Sequence, residues 1–340
     1  MTEGSTDTED WTAPGAFAVA PGVHRIPLPL PTDGLRSVNV YAIEDEAGLV
    51  LVDSGWALEE SRSALEQALR SLGYQLRDVR QFLVTHVHRD HYTQALAVRR
   101  DFGTRIILGR GEQPGLDILL SGEPPMEAQR AELAASGARP VLERMARMLD
   151  DHRGGAGYEP PDAWFDGRSR IELTSRVLDV VPTPGHTQGH VVLADLAAGV
   201  LFAGDHVLPH ITPSIGFEPA PSVLPLRDYL QSLAVVRAMP DMRLLPAHGA
   251  VSASAHERID ALLAHHEARL AEAAAAVRSG CATAYEVSCA LRWTRRLRHL
   301  DELDGFNQML AVIETRAHLQ LLVANGRLTS STVDGVDHYR

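Results

Sequence analysis

The 340-residue chain contains no lysine; all 32 of its basic residues are arginine. That excludes Schiff-base chemistry, the phosphate-gripping lysine of a P-loop, and any amine nucleophile beyond the N-terminus. Cysteine is nearly as scarce. Cys281 and Cys289 stand eight residues apart with no CxxC element, which suits neither a zinc knuckle nor a disulfide framework and points to a reduced, intracellular protein. No apolar run approaches membrane-spanning length, and the acidic N-terminal segment lacks the basic and apolar regions of a secretory signal. A cytoplasmic location is expected, with no membrane partner. Positive charge is also short: 44 acidic residues leave a formal charge of −12. This argues against broad affinity for nucleic acid or anionic lipid, though a local basic patch is not excluded.

What the chain has is histidine, 16 residues in all. Histidine is the commonest metal ligand and the usual general base near neutral pH. With 45 % hydrophobic and 22 % charged residues the composition is that of a globular protein able to bury a large core. At this length one large domain plus a smaller one is expected.

Residues 1–17 read as a disordered acidic tail. Short β-rich runs follow at 23–26, 38–43 and 49–52, then an amphipathic helix carrying Leu58, Leu65, Leu69 and Leu72. Strand, helix and strand come next at 82–84, 93–100 and 106–108. Residues 111–165 read as a helical insertion holding Met126, Leu133, Leu142, Met145 and Met148, with a glycine- and proline-rich turn at 154–161. Strands resume at 171–173, 177–181, 191–193 and 200–203. A long loop, a helix at 226–239 and a strand at 243–245 complete a catalytic domain of residues 18–251. The remainder, 252–340, is a mostly helical second domain, with a small β-wing expected at 326–340.

The strongest signal is Thr85-His86-Val87-His88-Arg89-Asp90-His91, just after a strand. On extended backbone His86 and His88 point the same way, and Asp90 and His91 arrive as the chain turns into a helix. One short segment thus offers three imidazoles and a carboxylate, ligands that suit zinc and other first-row divalent ions. Three further elements sit where strands end: Pro184-Gly185-His186-Thr187-Gln188-Gly189-His190, Phe202-Ala203-Gly204-Asp205, and Leu244-Leu245-Pro246-Ala247-His248-Gly249. Each alone is weak; in this order on an α/β background they are specific.

With Leu51-Val52-Asp53-Ser54-Gly55, these motifs make residues 18–250 resemble the metallo-β-lactamase-fold hydrolase superfamily, in its glyoxalase II, lactonase and lactamase-like ribonuclease branch. The resemblance implies an αββα sandwich with the site at the sheet edges. It implies that His86, His88 and His186 hold one metal ion, that Asp90, His91 and His248 hold a second, and that Asp205 bridges them. Asp53 would orient a ligand histidine; His190 would hydrogen-bond behind the ligands. The cofactor implied is two divalent ions, zinc first, with iron or manganese as alternatives. Residues 252–340 resemble a winged-helix-like domain in pattern only.

Where many relatives carry glycine after the second metal's histidine, this chain has Tyr92, read either as a hydrogen-bond donor to substrate oxygen or as a side chain packed in the sheet. Asp90 is assigned a proton-guiding role besides ligation. His206 and His210 lie in the loop after Asp205 and read mainly as structural, and His265 and His266 as a solvated helix face. Ser54 lacks the elbow and base of a nucleophilic serine. The Arg292-Trp293-Thr294-Arg295-Arg296-Leu297-Arg298-His299 cluster resembles a phosphate-binding patch; intrahelical ion pairing with Asp301, Glu302 and Asp304 is the plainer reading.

These features point to dinuclear hydrolysis, a bridging hydroxide attacking a small or acyl-chain ester, thioester or lactone. The methionine-bearing insertion reads either as a plain scaffold of paired helices or as an apolar lid over the site. The alternative is an endoribonuclease holding RNA with its C-terminal domain. A mono-iron persulfide dioxygenase and a non-catalytic metal-binding protein rank lower. A homodimer is compatible with the sequence.

Overall fold

The computed structural model describes residues 10–31, 34–122, 126–150 and 157–340, without the side chains of 146–150. Strands β1 (Phe17–Ala20), β2 (Val23–Pro29), β3 (Ser37–Asp45), β4 (Gly48–Val52), β5 (Val79–Leu83), β6 (Arg105–Gly109) and β7 (Ala163–Phe165) form a seven-stranded sheet in chain order. The first four pair antiparallel; β4 to β7 run parallel. Parallel neighbours need crossovers, which α1 (Glu59–Ser71) and α2 (Arg89–Phe102) supply. The second sheet is ordered β12-β11-β10-β9-β8, from β8 (Ser169–Glu172), β9 (Val177–Pro182), β10 (Val191–Asp195), β11 (Val200–Gly204) and β12 (Arg243–Pro246). Its single parallel pair, β11 with β12, is connected through α6 (Pro225–Arg237).

The two sheets face each other across Tyr41, Ile43, Val50, Leu83, Val180, Leu193, Phe202 and Leu245. Their outer faces are buried too, under Leu65, Leu69 and Leu96 of α1 and α2 on one side. This is why β4 and β10 are apolar along almost their whole length instead of alternating. The architecture is an αββα sandwich, and the five chain segments bearing the sequence motifs emerge at the ends of β4, β5, β9, β11 and β12.

The outer face of the second sheet carries α6, α7 (Ala255–Arg278), α8 (Ala284–Ala290) and α9 (Gly305–Ala324), followed by a hairpin of β13 (Ser330–Val333) and β14 (Val336–Tyr339). One continuous apolar cluster runs from Val192, Leu201 and Leu244 of the sheet through Leu233, Ile259 and Leu262 to Val312, Ile313 and Leu319. Position 252 therefore marks a change of secondary structure inside a shared core. The insertion contributes α3 (Gln113–Ser121), α4 (Glu127–Ala135) and α5 (Arg139–Asp150). Leu133, Val141 and Met145 join the same cluster, and Arg316 of α9 bridges Glu132 and Asp337 at 2.6 Å each. Met145 is buried in that cluster and Met126 half-buried against it, while Met148 lies outside the described side chains.

Three further expectations change. Residues 1–9 lie outside the described chain, but 10–17 are not a loose tail: Arg25 donates to the Trp11 carbonyl at 2.5 Å, and β1 begins at Phe17. Of the glycine- and proline-rich turn, 154–156 also lie outside the described residues. The arginine cluster is a turn closed by reciprocal Trp293–Arg298 backbone bonds of 2.8 and 2.7 Å, not a helix. Intrahelical pairing cannot form there; Glu302 instead accepts the His299 N–H, and Asp304 caps α9 through Asn307 N–H at 3.0 Å. Lastly, His266 is not on a solvated face but fully buried.

Candidate metal centre

His86 and His88 follow shortly after the end of β5, with His88 as the residue preceding α2. Asp90 and His91 occupy the first helical turn. β9 delivers His186, β11 delivers Asp205 and β12 delivers His248, so all seven residues meet at one place. His86 Nε2 and His186 Nε2 lie 3.0 and 3.1 Å from His88 Nδ1. His248 Nε2 and His91 Nε2 lie 3.4 and 3.6 Å from Asp90 Oδ2. Asp205 stands between the two groups: Oδ2 is 3.5 Å from His186 Nε2, and Oδ1 is 3.4 and 3.7 Å from His248 and His91.

The outward nitrogens fix where the protons are. His88 Nε2 donates to the Phe217 carbonyl at 3.3 Å. His186 Nδ1 and His248 Nδ1 donate to the Ser214 and Ser37 carbonyls, both at 2.8 Å. His91 Nδ1 donates to Asp53 Oδ2 at 2.9 Å, and His86 Nδ1 donates at 3.0 Å to Thr85 Oγ1, whose own proton goes to Asp53. Each of the five imidazoles therefore turns a bare lone pair inward. The contacts near 3 Å among His86, His88 and His186 join acceptor to acceptor, and His91 Nε2, His248 Nε2 and Asp205 Oδ1 are buried with no hydrogen-bond partner. Unpaired buried groups cost about 1–3 kcal/mol each, and a cation between them removes that cost. The donor set fits divalent metal, three nitrogens and one carboxylate oxygen on one side, two nitrogens and two carboxylate oxygens on the other.

Electrostatics favour the same occupant. Burial, with neighbouring His91 and His88, holds His86 well below the ordinary imidazole range, and burial with His186 pushes His88 down to about 3. Burial opposes ionisation of Asp90 and Asp205, but the adjacent histidines keep both carboxyls below their usual range. Burial likewise opposes charging His91, yet Asp90, Asp53 and Asp205 raise it to about 10, so a proton competes with the metal ion for its inward nitrogen. The carboxylates thus call for positive charge at the point where the lone pairs converge.

Residues behind the ligands hold this geometry. Asp53 adopts a left-handed backbone (φ 60°) and also accepts Thr85 N–H at 2.8 Å. His190 accepts the Asp205 N–H on Nε2 at 3.1 Å, so its Nδ1 proton goes to Thr183 Oγ1 at 2.8 Å. Gly204 lets these groups close up: a Cβ there would lie 2.7 Å from both His190 Nε2 and Thr85 Oγ1. Asn39 Nδ2 donates to the Pro246 and Gly249 carbonyls at 3.0 and 2.8 Å, pinning the His248 turn to β3. Glu112 accepts Thr187 Oγ1–H at 2.5 Å and Glu218 accepts Gln188 N–H at 2.8 Å, fixing the His186 loop. Thr85, Thr183, Asn39, Glu112 and Glu218 were given no role from the sequence; Thr85 and Thr183 lie in or beside the motifs, whereas Asn39, Glu112 and Glu218 act on loops reached only through the fold.

Tyr92 is corrected. It is fully buried, its hydroxyl donates to the Glu159 carbonyl at 2.7 Å, and its ring packs in the core under α2. It is one residue beyond His91, hence about 100° further round the helix, and its proton is already committed. His206 is also buried, and His265 lies on α7, away from this centre.

The sequence pattern of the metallo-beta-lactamase superfamily matches residues 33–248. Over its length the chain is similar to the crystal structure of the metallo-beta-lactamase family protein TTHA1429 from Thermus thermophilus. The identity is 28 % and the TM-score 0.78, covering 95 % of this chain and 99 % of that one. It is 24 % identical to the probable metallo-hydrolase YqjP of Bacillus subtilis over 90 % of this chain and 93 % of that protein. It is 28 % identical to the hydroxyacylglutathione hydrolase GloC of Haemophilus influenzae over 48 % of this chain and 62 % of that protein.

Proposed function

The chain belongs to the metallo-beta-lactamase superfamily and is a metal-dependent hydrolase; from that premise we propose that it is a two-metal enzyme cleaving a small or acyl-chain ester, thioester or lactone. The observation that carries this reading is the division of Asp205, one oxygen turned to the His86–His88–His186 group and the other to the Asp90–His91–His248 group. His86, His88 and His186 would hold one ion, Asp90, His91 and His248 the other, with zinc the first choice and iron or manganese the alternatives. Bound divalent ions supply Lewis acidity and lower the pKa of bound water toward ~7.

The protein's own groups do the rest. Asp53, through His91, and His190, through the Asp205 N–H, keep the ligands aimed. Hydrolysis adds the water oxygen to the acyl carbon and breaks the C–O or C–S bond. Asp90, beside the attacking water, would guide the released proton toward the departing alkoxide or thiolate while remaining a ligand. An acyl chain is favoured by the apolar surface beside His88: the Phe217 ring is 6.0 Å away, and Phe306, 41 % exposed, packs edge-on against it at 5.4 Å. The formal charge of −12 disfavours a polyanion, and the GloC relative is named for an acylglutathione substrate.

One observation favours RNA as the second reading. Arg292, Arg295, Arg296 and Arg298 are exposed around one turn, and no ion pair ties them down among the described residues. Metal analysis coupled to a panel of thioesters, lactones, nitrocefin and single-stranded RNA separates the readings. Thioester or lactone turnover with about two metal ions per chain is expected. Turnover confined to RNA and abolished in an Arg295→Glu, Arg296→Glu variant would give the second reading precedence. An Asp205→Ala variant with unchanged activity and metal content would refute the two-metal proposal.

A further inference from the structure

Where α7 and α9 pack together they carry a second group of histidines. His318 Nδ1 donates to the Glu314 carbonyl at 2.8 Å, so its Nε2 is an acceptor, and His266 Nδ1 donates to it at 3.2 Å. This chain of bonds leaves the lone pair of His266 on Nε2. That atom is buried and has no hydrogen-bond partner, in a residue with no exposed surface. One nitrogen from each of His265 and His266 and a carboxylate oxygen of Glu314 all lie within 4.8 Å of one another. The two imidazole rings, although on consecutive residues, are folded together with centroids 5.3 Å apart. Glu314 is half-buried in the same place, and burial raises its carboxyl above the usual range.

We propose that His265, His266 and Glu314 form a further cation site, holding a zinc-type divalent ion between α7 and α9. Two imidazoles and one carboxylate are the donors such an ion prefers, and three protein ligands leave a position for water. Exposed His265 gives the ion its way in. A cation would partner the orphaned His266 nitrogen and discharge the buried carboxylate at once, clipping together two helices that are far apart in sequence. The nearby Arg269 guanidinium works against it but is partly offset, lying 2.8 Å from Glu272 and stacked over Trp293 at 4.6 Å. The site therefore fills after the Asp205 centre.

The test is a titration of zinc alone into the chelator-stripped full chain, counting bound ions by equilibrium dialysis and following the melting temperature. The wild type should bind one more zinc per chain than His265→Ala or Glu314→Gln, and the melting-temperature gain from that last equivalent should vanish in both. Asp205→Ala should keep it, so that the two centres are read independently. His265 is exposed, so its alanine variant retains the fold and decides the matter should Glu314→Gln misfold. Equal zinc binding by the wild type and His265→Ala overturns the proposal.

Discussion

Asp53 accepts the Nδ1 proton of His91 at 2.9 Å while its other oxygen takes the Thr85 N–H at 2.8 Å. The carboxylate thus sets the direction of the His91 lone pair and anchors the strand that bears His86. Asp53→Ala should lower metal affinity or turnover by about 10–100-fold. Metal titration and steady-state kinetics on the same preparation check it; wild-type values in both would show that His91 needs no orienting partner.

Tyr92 should prove dispensable for turnover. Its hydroxyl serves the Glu159 carbonyl, so Tyr92→Phe should lose about 0.5–1.5 kcal/mol of stability, the net worth of one hydrogen bond, with kcat unchanged. Denaturant unfolding and kinetics together measure this. A large fall in kcat with unchanged stability would return Tyr92 to the site.

Glu218 gives a pH prediction. Burial, with a contribution from the Glu112 charge, raises its carboxyl to about 8 from an ordinary value of 4.5. A folded-state pKa above the unfolded one stabilises fully below the unfolded value, and that stability is lost as pH rises through the folded value. Between roughly pH 4.5 and 8 the folded protein holds a proton that the unfolded chain has released. Glu218→Gln, a permanent mimic of the neutral acid, should therefore melt higher than wild type at pH 8, with the gap closing toward pH 5. A constant gap across melts at several pH values contradicts the shifted carboxyl.

Gly185 has φ +134°, and a Cβ there would lie 2.4 Å from the Tyr229 backbone. Backbone cannot yield as a side-chain tip can. Gly185→Ala should cost about 1–3 kcal/mol or more and displace His186, reducing metal stoichiometry together with activity. Atomic absorption on the purified variant provides the check.

The sequence was legible where chemistry is local. His86, His88, Asp90 and His91 fall within one strand-to-helix turn, so spacing alone brings their donors together. His186, Asp205 and His248 could be singled out because each follows an apolar strand run. Tyr92 was misjudged because adjacency along the chain is not adjacency on a helix: the step from His91 rotates it into the core. The same step separates exposed His265 from buried His266. Glu112 and Glu218 carried no local signal, since the loop they brace lies 75 and 30 residues away in sequence.

The sequence by itself determined the ligand chemistry: a chain without lysine, with imidazoles and carboxylates placed after successive strands. Only the tertiary structure decided which oxygen of Asp205 faces which ligand group and which nitrogen of each histidine is left bare. It alone showed that the insertion helices and the C-terminal helices share one core. Motif spacing follows from the strand and helix repeat within a few residues. Proton placement and shared packing depend on carbonyls, carboxylates and apolar faces brought together from distant parts of the chain.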